Sequence, residues 1–213
     1  MPEIPGSLAA LDTTHLVALA AALGWASGLR LYAVVFITGA AGYLGWIPLP
    51  DGLKILQNPI VMGASGFMFV VEFFADKIPA LDSLWDLAHT FIRIPAGAAL
   101  AGAVFGGDTA AWATVAALLG GTLAATAHTA KATTRAAANT SPEPFSNIAL
   151  SLVGDLAVPG LLWLAWEHPV PFFIVLAIAV VAAVVVTVLL VKFLRLLLGR
   201  LFGRATPAPA VGR

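Results

Sequence analysis

The chain has 213 residues, of which 60% are hydrophobic and 10% charged, with a mean hydropathy of +0.96; an ordinary soluble domain carries about 25% charged residues. That composition excludes a water-soluble fold and predicts an all-α polytopic membrane protein. The 11 basic and 11 acidic residues cancel, so no nucleic-acid partner is expected, and the lack of cysteine removes disulfides, thiolate metal sites and cysteine nucleophiles.

Residues 1–15 read as an N-terminal segment. "MPEIPGSLAALDTTH" has no basic n-region and carries Glu3 and Asp12, so it does not resemble a cleaved signal peptide. Residues 16–203 read as a single transmembrane domain. A helical span needs about 20 apolar residues, which gives six passes near 16–46, 58–76, 81–106, 109–138, 145–166 and 170–198. The first is interrupted at "GWASGLR", before Arg30, and reads either as two half-helices or as a re-entrant hairpin. The third meets Pro95 and Gly97 and is expected to kink or break near Ile94. Gly63, Gly66, Gly120 and Gly121 suit close helix packing, and Trp46, Trp163 and Trp166 suit interfacial anchoring.

The sixth pass is uncharged and runs into Lys192, Arg195, Arg200 and Arg204, which places that end in the cytoplasm. Counted back through six passes, the N-terminus falls on the same side, so both termini are expected to be cytoplasmic in a plasma membrane, the inner membrane of a bacterium. Residues 204–213, "RATPAPAVGR", which follow Gly203, have the Pro/Ala composition of a disordered tail.

Charge concentrates in the second to fifth passes. Asp82, Asp86, His89 and Arg93 recur at i, i+4, i+7 and i+11, one stripe of a helix. At about 1.5 Å per residue, Arg93 then lies roughly 16 Å beyond Asp82, near the bilayer midplane. The fourth pass repeats the pattern in reverse with His128, Lys131, Arg135 and Asn139, while Glu72 and Asp76 supply acids one turn apart. A charge at the centre of a membrane helix costs about 2.5–3.5 kcal/mol on insertion scales, so these faces must turn inward. One wall of a polar interior is expected from the hairpin 58–106 and the other from 109–166, with Glu143, Asn147 and Asp155. "AHTFIR" at 88–93 and "AHTAKATTR" at 127–135 form a short internal echo, in keeping with two pseudo-repeated hairpins.

These residues admit several chemistries. Asp82, Asp86 and His89, with Glu72 and Asp76 nearby, are candidate ligands of a divalent cation, the one cofactor the sequence suggests. Arg93, Lys131 and Arg135 are candidates for capturing an anion. His89 and His128 are candidates for relaying protons. The competing reading is an ion-pair scaffold of the same residues, with Asp76, Lys77 and Asp82 as solvated turn residues. No nucleophile elbow, phosphate-binding loop or dinucleotide fingerprint occurs.

"SGLRLY", "EFFADKIPALDSLWDLAHTFIRIPAGA" and "KATTRAAANTSPEPFSN" closely resemble, in order, the signature stretches of domain-of-unknown-function family 4126, a group of small integral membrane proteins. The resemblance implies a membrane fold over roughly residues 16–166 and brings no catalytic residues. Its first motif carries Asn where this chain has Arg30, so Arg30 takes no role from the family.

The leading expectation is a small transporter or channel with an intramembrane site for an ion or small charged solute, built from Glu72, Asp76, Asp82, Asp86, His89, Arg93, His128, Lys131, Arg135, Asn139, Glu143 and Asn147. The alternatives are a membrane-embedded metal-dependent enzyme acting on a lipid or phosphate ester, and a structural or assembly protein. The bilayer, the solute and a second copy of the chain are the expected partners.

Overall fold

The computed structural model describes residues 11–78, 81–106, 110–140 and 145–202, and among them finds helices and no strand. Six α-helices run α1 (Thr13–Tyr43), α2 (Pro59–Ala75), α3 (Leu81–Val104), α4 (Ala110–Ala138), α5 (Phe145–Glu167) and α6 (Pro169–Phe202). A short 3-10 helix, Asp51–Gln57, precedes α2 at a bend of 69°. Five of the helices are long and apolar enough to cross a membrane, and the bent pair raises the count to six. The chain is an integral membrane protein.

Local chemistry sets several of these boundaries. Asp12 caps α1, accepting the His15 backbone N–H at 2.8 Å with the His15 ring nitrogen equally close. Those two contacts, the backbone one first, hold the Asp12 carboxyl below its ordinary value of 3.8. Asn58 caps α2 by accepting from the N–H of Ile60, with Pro59 in the first turn where its missing N–H costs nothing. α3 continues through Pro95 without the expected break. α5 likewise runs through Pro159, as membrane helices tolerate when neighbours re-satisfy the freed backbone groups.

α1 is the centre of the molecule and is not one straight rod. Its backbone leaves helical geometry at Arg30 (φ −150°, ψ 84°). In a continuous helix Leu19 and Leu44 would stand about 37 Å apart, yet both line one cavity of about 480 Å³ with Ala41 and Trp166. The arms 13–29 and 31–43 therefore double back at Arg30, which settles the choice left open by the sequence in favour of the re-entrant hairpin. Thr13 and Tyr43 lie at the same end of the bundle.

The described chain enters α1 at one end of the bundle and leaves α6 at the other. The other helices wrap this hairpin, and α3 and α4 pack against each other more extensively than any other pair. α2 scarcely touches α3, and α4 scarcely touches α5, so the two expected hairpins are not packing units. α2, α3, α4 and α5 each pack on α1, and α6 packs mainly on α4 and α5.

Small residues let the backbones approach. A Cβ built on Gly24 would stand 2.6 Å from the Cα of Gly120, and one on Gly28 would stand 2.2 Å from the Ala124 carbonyl oxygen. Only hydrogen fits between α1 and α4 there. Gly120, Gly66 and Gly121 are also close-packed as expected, but Gly63 has nothing within 4 Å of an added Cβ and faces outward.

Candidate functional site

The candidate site fills the end of the bundle where α2 and α4 finish, α3 and α5 begin, and the tip of the α1 hairpin arrives. Its largest component is the facing pair of stripes on α3 and α4, which run antiparallel and meet rung by rung. Nearest the end, Asn139 donates to both oxygens of Asp82 at 3.3 and 3.4 Å, and Arg135 lies 3.6 Å from the same carboxylate. One turn deeper, Asp86 lies 3.1 Å from Lys131 and 3.7 Å from Arg135. Deeper again, Thr90 meets His128 at 2.7 Å, and Arg93 donates to Asp86 at 2.8 Å and sits 3.4 Å from His128. The i, i+4 and i, i+7 spacing of the sequence produces this ladder directly.

α2 closes the ladder from the side. Glu72 accepts from Arg93, both side chains being sealed from solvent. Asp76 receives three cations: Arg30 at 2.7 Å, Arg135 at 3.0 Å and Lys131 at 3.1 Å. The expectation of solvated turn residues fails for Asp76 and Asp82, both 0% exposed. Their proximity to the helix ends is offset by the cations packed over them.

Arg30 is the member that the expected site omits. It sits at the hairpin tip, 1% exposed, and its guanidinium spreads between helices: Asp76 on one side, Asp155 at 2.8 Å on the other, and the Ser151 hydroxyl and carbonyl at 2.8 and 3.1 Å. The break at Arg30 ends the first arm of α1, whose last carbonyls lack helical partners. Lys131 supplies one, donating to the Leu29 carbonyl at 3.1 Å. Positive charge at a helix C-terminus is favourable on dipole grounds as well.

Further residues complete the constellation. Lys77 reaches Asp155 and Ser151, each at 3.2 Å, with its ammonium over the Phe73 ring. His89 points its Nδ1 at the Trp85 carbonyl at 2.8 Å and its Nε2 at the Tyr32 hydroxyl at 3.1 Å. A carbonyl can only accept, so Nδ1 carries a proton and, in the neutral ring, Nε2 accepts from Tyr32. Asn147 donates to Asn139. Glu143 lies outside the described residues.

Five carboxylates (Glu72, Asp76, Asp82, Asp86, Asp155) thus interleave with five cations (Arg30, Lys77, Arg93, Lys131, Arg135), and the cluster is formally neutral. Pairing of this kind is what permits charge at membrane depth. The expected metal trio does not converge: Asp82 and Asp86 face cations, His89 faces Tyr32, and among the described residues no three His, Cys, Asp or Glu side chains form a metal-holding group. The physical reason is that the cations of α4 occupy the space between the acids.

A cavity adjoins this cluster. It measures about 300 Å³, lies among α1, α4, α5 and α6, and is bounded by Arg30, Lys131 and Arg135 and by apolar side chains of all four helices.

Tyr32, Ser151 and the role of Arg30 are not evident from helical spacing, because each is defined by a partner far away in sequence. The interruption before Arg30 was the available signal. Comparison with curated proteins and with solved structures gave no match. The family pattern described as "Domain of unknown function (DUF4126)" matches residues 17–189, and the chain belongs to that family.

Proposed function

We propose that this protein is a small transporter or channel for a charged solute, with its site at the tip of the re-entrant α1 hairpin. The observation that carries the reading is Arg30: a buried arginine at a break in the backbone, shared between acids of α2 and α5. Non-helical backbone at membrane depth is tolerated only inside protein or beside a water-filled cavity, and transporter sites are commonly built at broken helices. Three cations converge on the single carboxylate of Asp76. An anionic solute reaching these cations would compete with that carboxylate for them. Lys192 and Arg195 near the charged end of α6 orient that end to the cytoplasm by the positive-inside rule, with the N-terminus on the opposite side.

A second reading, a purely structural membrane protein, is favoured by the balance of five acids against five cations. Purified protein in liposomes distinguishes the two. Chloride, acetate and inorganic phosphate fluxes, followed with a potential-sensitive dye, should exceed those of empty vesicles for at least one anion. Asp76→Asn should abolish that flux while the protein still elutes as a folded, monodisperse species. No flux of any of these anions through folded protein would overturn transport of a small anion and favour the scaffold.

A further inference from the structure

The cavity beside the ladder has an unusual division of character. Its charged lining residues are Arg30, Lys131 and Arg135, with no carboxylate among them, although all three pair with acids on their other sides: Arg30 with Asp76 and Asp155, Lys131 with Asp76 and Asp86, Arg135 with Asp76, Asp82 and Asp86. The rest of the wall is almost wholly apolar, including Trp25, Leu29, Leu150 and Ala183. Val153, Ala182 and Val186 line it too and are exposed on the outer surface of the bundle, Val153 by 65%. Because α4 and α5 scarcely touch, the cavity sits in a gap between them that α6 backs.

Arg135 is 2% exposed, and its Nε faces Asp86 at 3.7 Å, an ion pair longer than a hydrogen bond. The cations on this wall of the cavity are the side chains suited to the oxygens of an anion.

We infer that the cavity binds an anionic amphiphile: a phosphate-type or carboxylate head group held by Arg30, Lys131 and Arg135, with a hydrocarbon chain lying along the apolar wall of α5 and α6. Its volume, about 300 Å³, accommodates the head group and the first part of such a chain, and the exposed rim lets the remainder continue into the bilayer. A water-soluble anion makes no use of the apolar wall. The inference deepens the reading of a charged-solute transporter by naming the class of solute, but the binding site is testable without transport.

The test uses the full chain in nanodiscs of zwitterionic lipid, with dodecyl phosphate, dodecanol and inorganic phosphate as probes and native mass spectrometry plus calorimetric titration as readouts. Dodecyl phosphate should bind stoichiometrically and dodecanol should not. Arg135→Gln and Lys131→Gln should each weaken dodecyl phosphate at least tenfold. Ala182→Trp, at the exposed rim where folding is least at risk, should also weaken it at least tenfold by filling the path of the chain. Inorganic phosphate binding as tightly as dodecyl phosphate, unaffected by Ala182→Trp, would overturn the amphiphile and identify a free anion as the ligand. Absence of dodecyl phosphate binding while small-anion flux persists would overturn the inference alone. Binding of dodecyl phosphate with no flux of any anion would support the site and remove only small-anion transport.

Discussion

Glu72 and Arg93 form an ion pair in which neither side chain reaches solvent, joining two helices, α2 and α3, that otherwise scarcely touch. Arg93 also holds Asp86 at 2.8 Å. The pair is therefore a tie between elements as well as a neutralisation of charge.

Removing one partner of a buried pair strands the other and costs about 3–5 kcal/mol, whereas replacing both with well-packed neutral side chains is often near neutral. Arg93→Met should lower stability by about that amount. The double variant Glu72→Gln/Arg93→Met should recover part of the loss, with Asp86 still held by Lys131 and Arg135. Denaturant unfolding of the wild type, both single variants and the double variant closes the cycle. Equal destabilisation in the single Arg93 variant and the double variant would show that Glu72 is not the group left stranded.

The seam between α1 and α4 predicts a contrast between two glycines. Gly28→Ala places a methyl 2.2 Å from the Ala124 carbonyl, so the helices must separate, at a cost of about 1–3 kcal/mol. Gly63→Ala meets nothing within 4 Å and should be neutral or stabilise by about 0.5–1 kcal/mol through helix propensity. Thermal unfolding in one detergent provides both values, and a loss of similar size in the two variants would contradict the seam.

At the opposite end, Asp12 predicts a local response to acid. Its pKa in the folded state lies below the ordinary 3.8 because it accepts hydrogen bonds from His15. A depressed carboxyl contributes stability above its unfolded value and loses it as pH falls through the folded one. Amide hydrogen exchange in the first turn of α1 should therefore quicken, after correction for intrinsic rates, once pH drops below about 3.8. In Asp12→Ala the same amides should exchange faster at neutral pH and show no such step.

The stripes on α3 and α4 were legible because they are local: a helix of known pitch turns Asp82, Asp86 and Arg93 to one side whatever surrounds it. The acids of α2 could be placed near them by the cost of charge in lipid alone. Arg30 could not be placed in this way. Its partners, Asp76, Ser151 and Asp155, lie on two other helices, and hydrophobicity counts a doubled-back arm and a crossing arm alike. The proposed metal trio went astray for a related reason: spacing brings donors to a common face but does not reveal which cations the facing helix inserts between them.

The hairpin at the centre also has a consequence for the order in which the molecule can be built. Arg30 leaves the ribosome before Asp76, Ser151 and Asp155, every one of the partners that satisfy it. Asp76 becomes available once α2 has been made, but Ser151 and Asp155 only once α5 has, so the set of partners that holds the hairpin tip is completed late in synthesis.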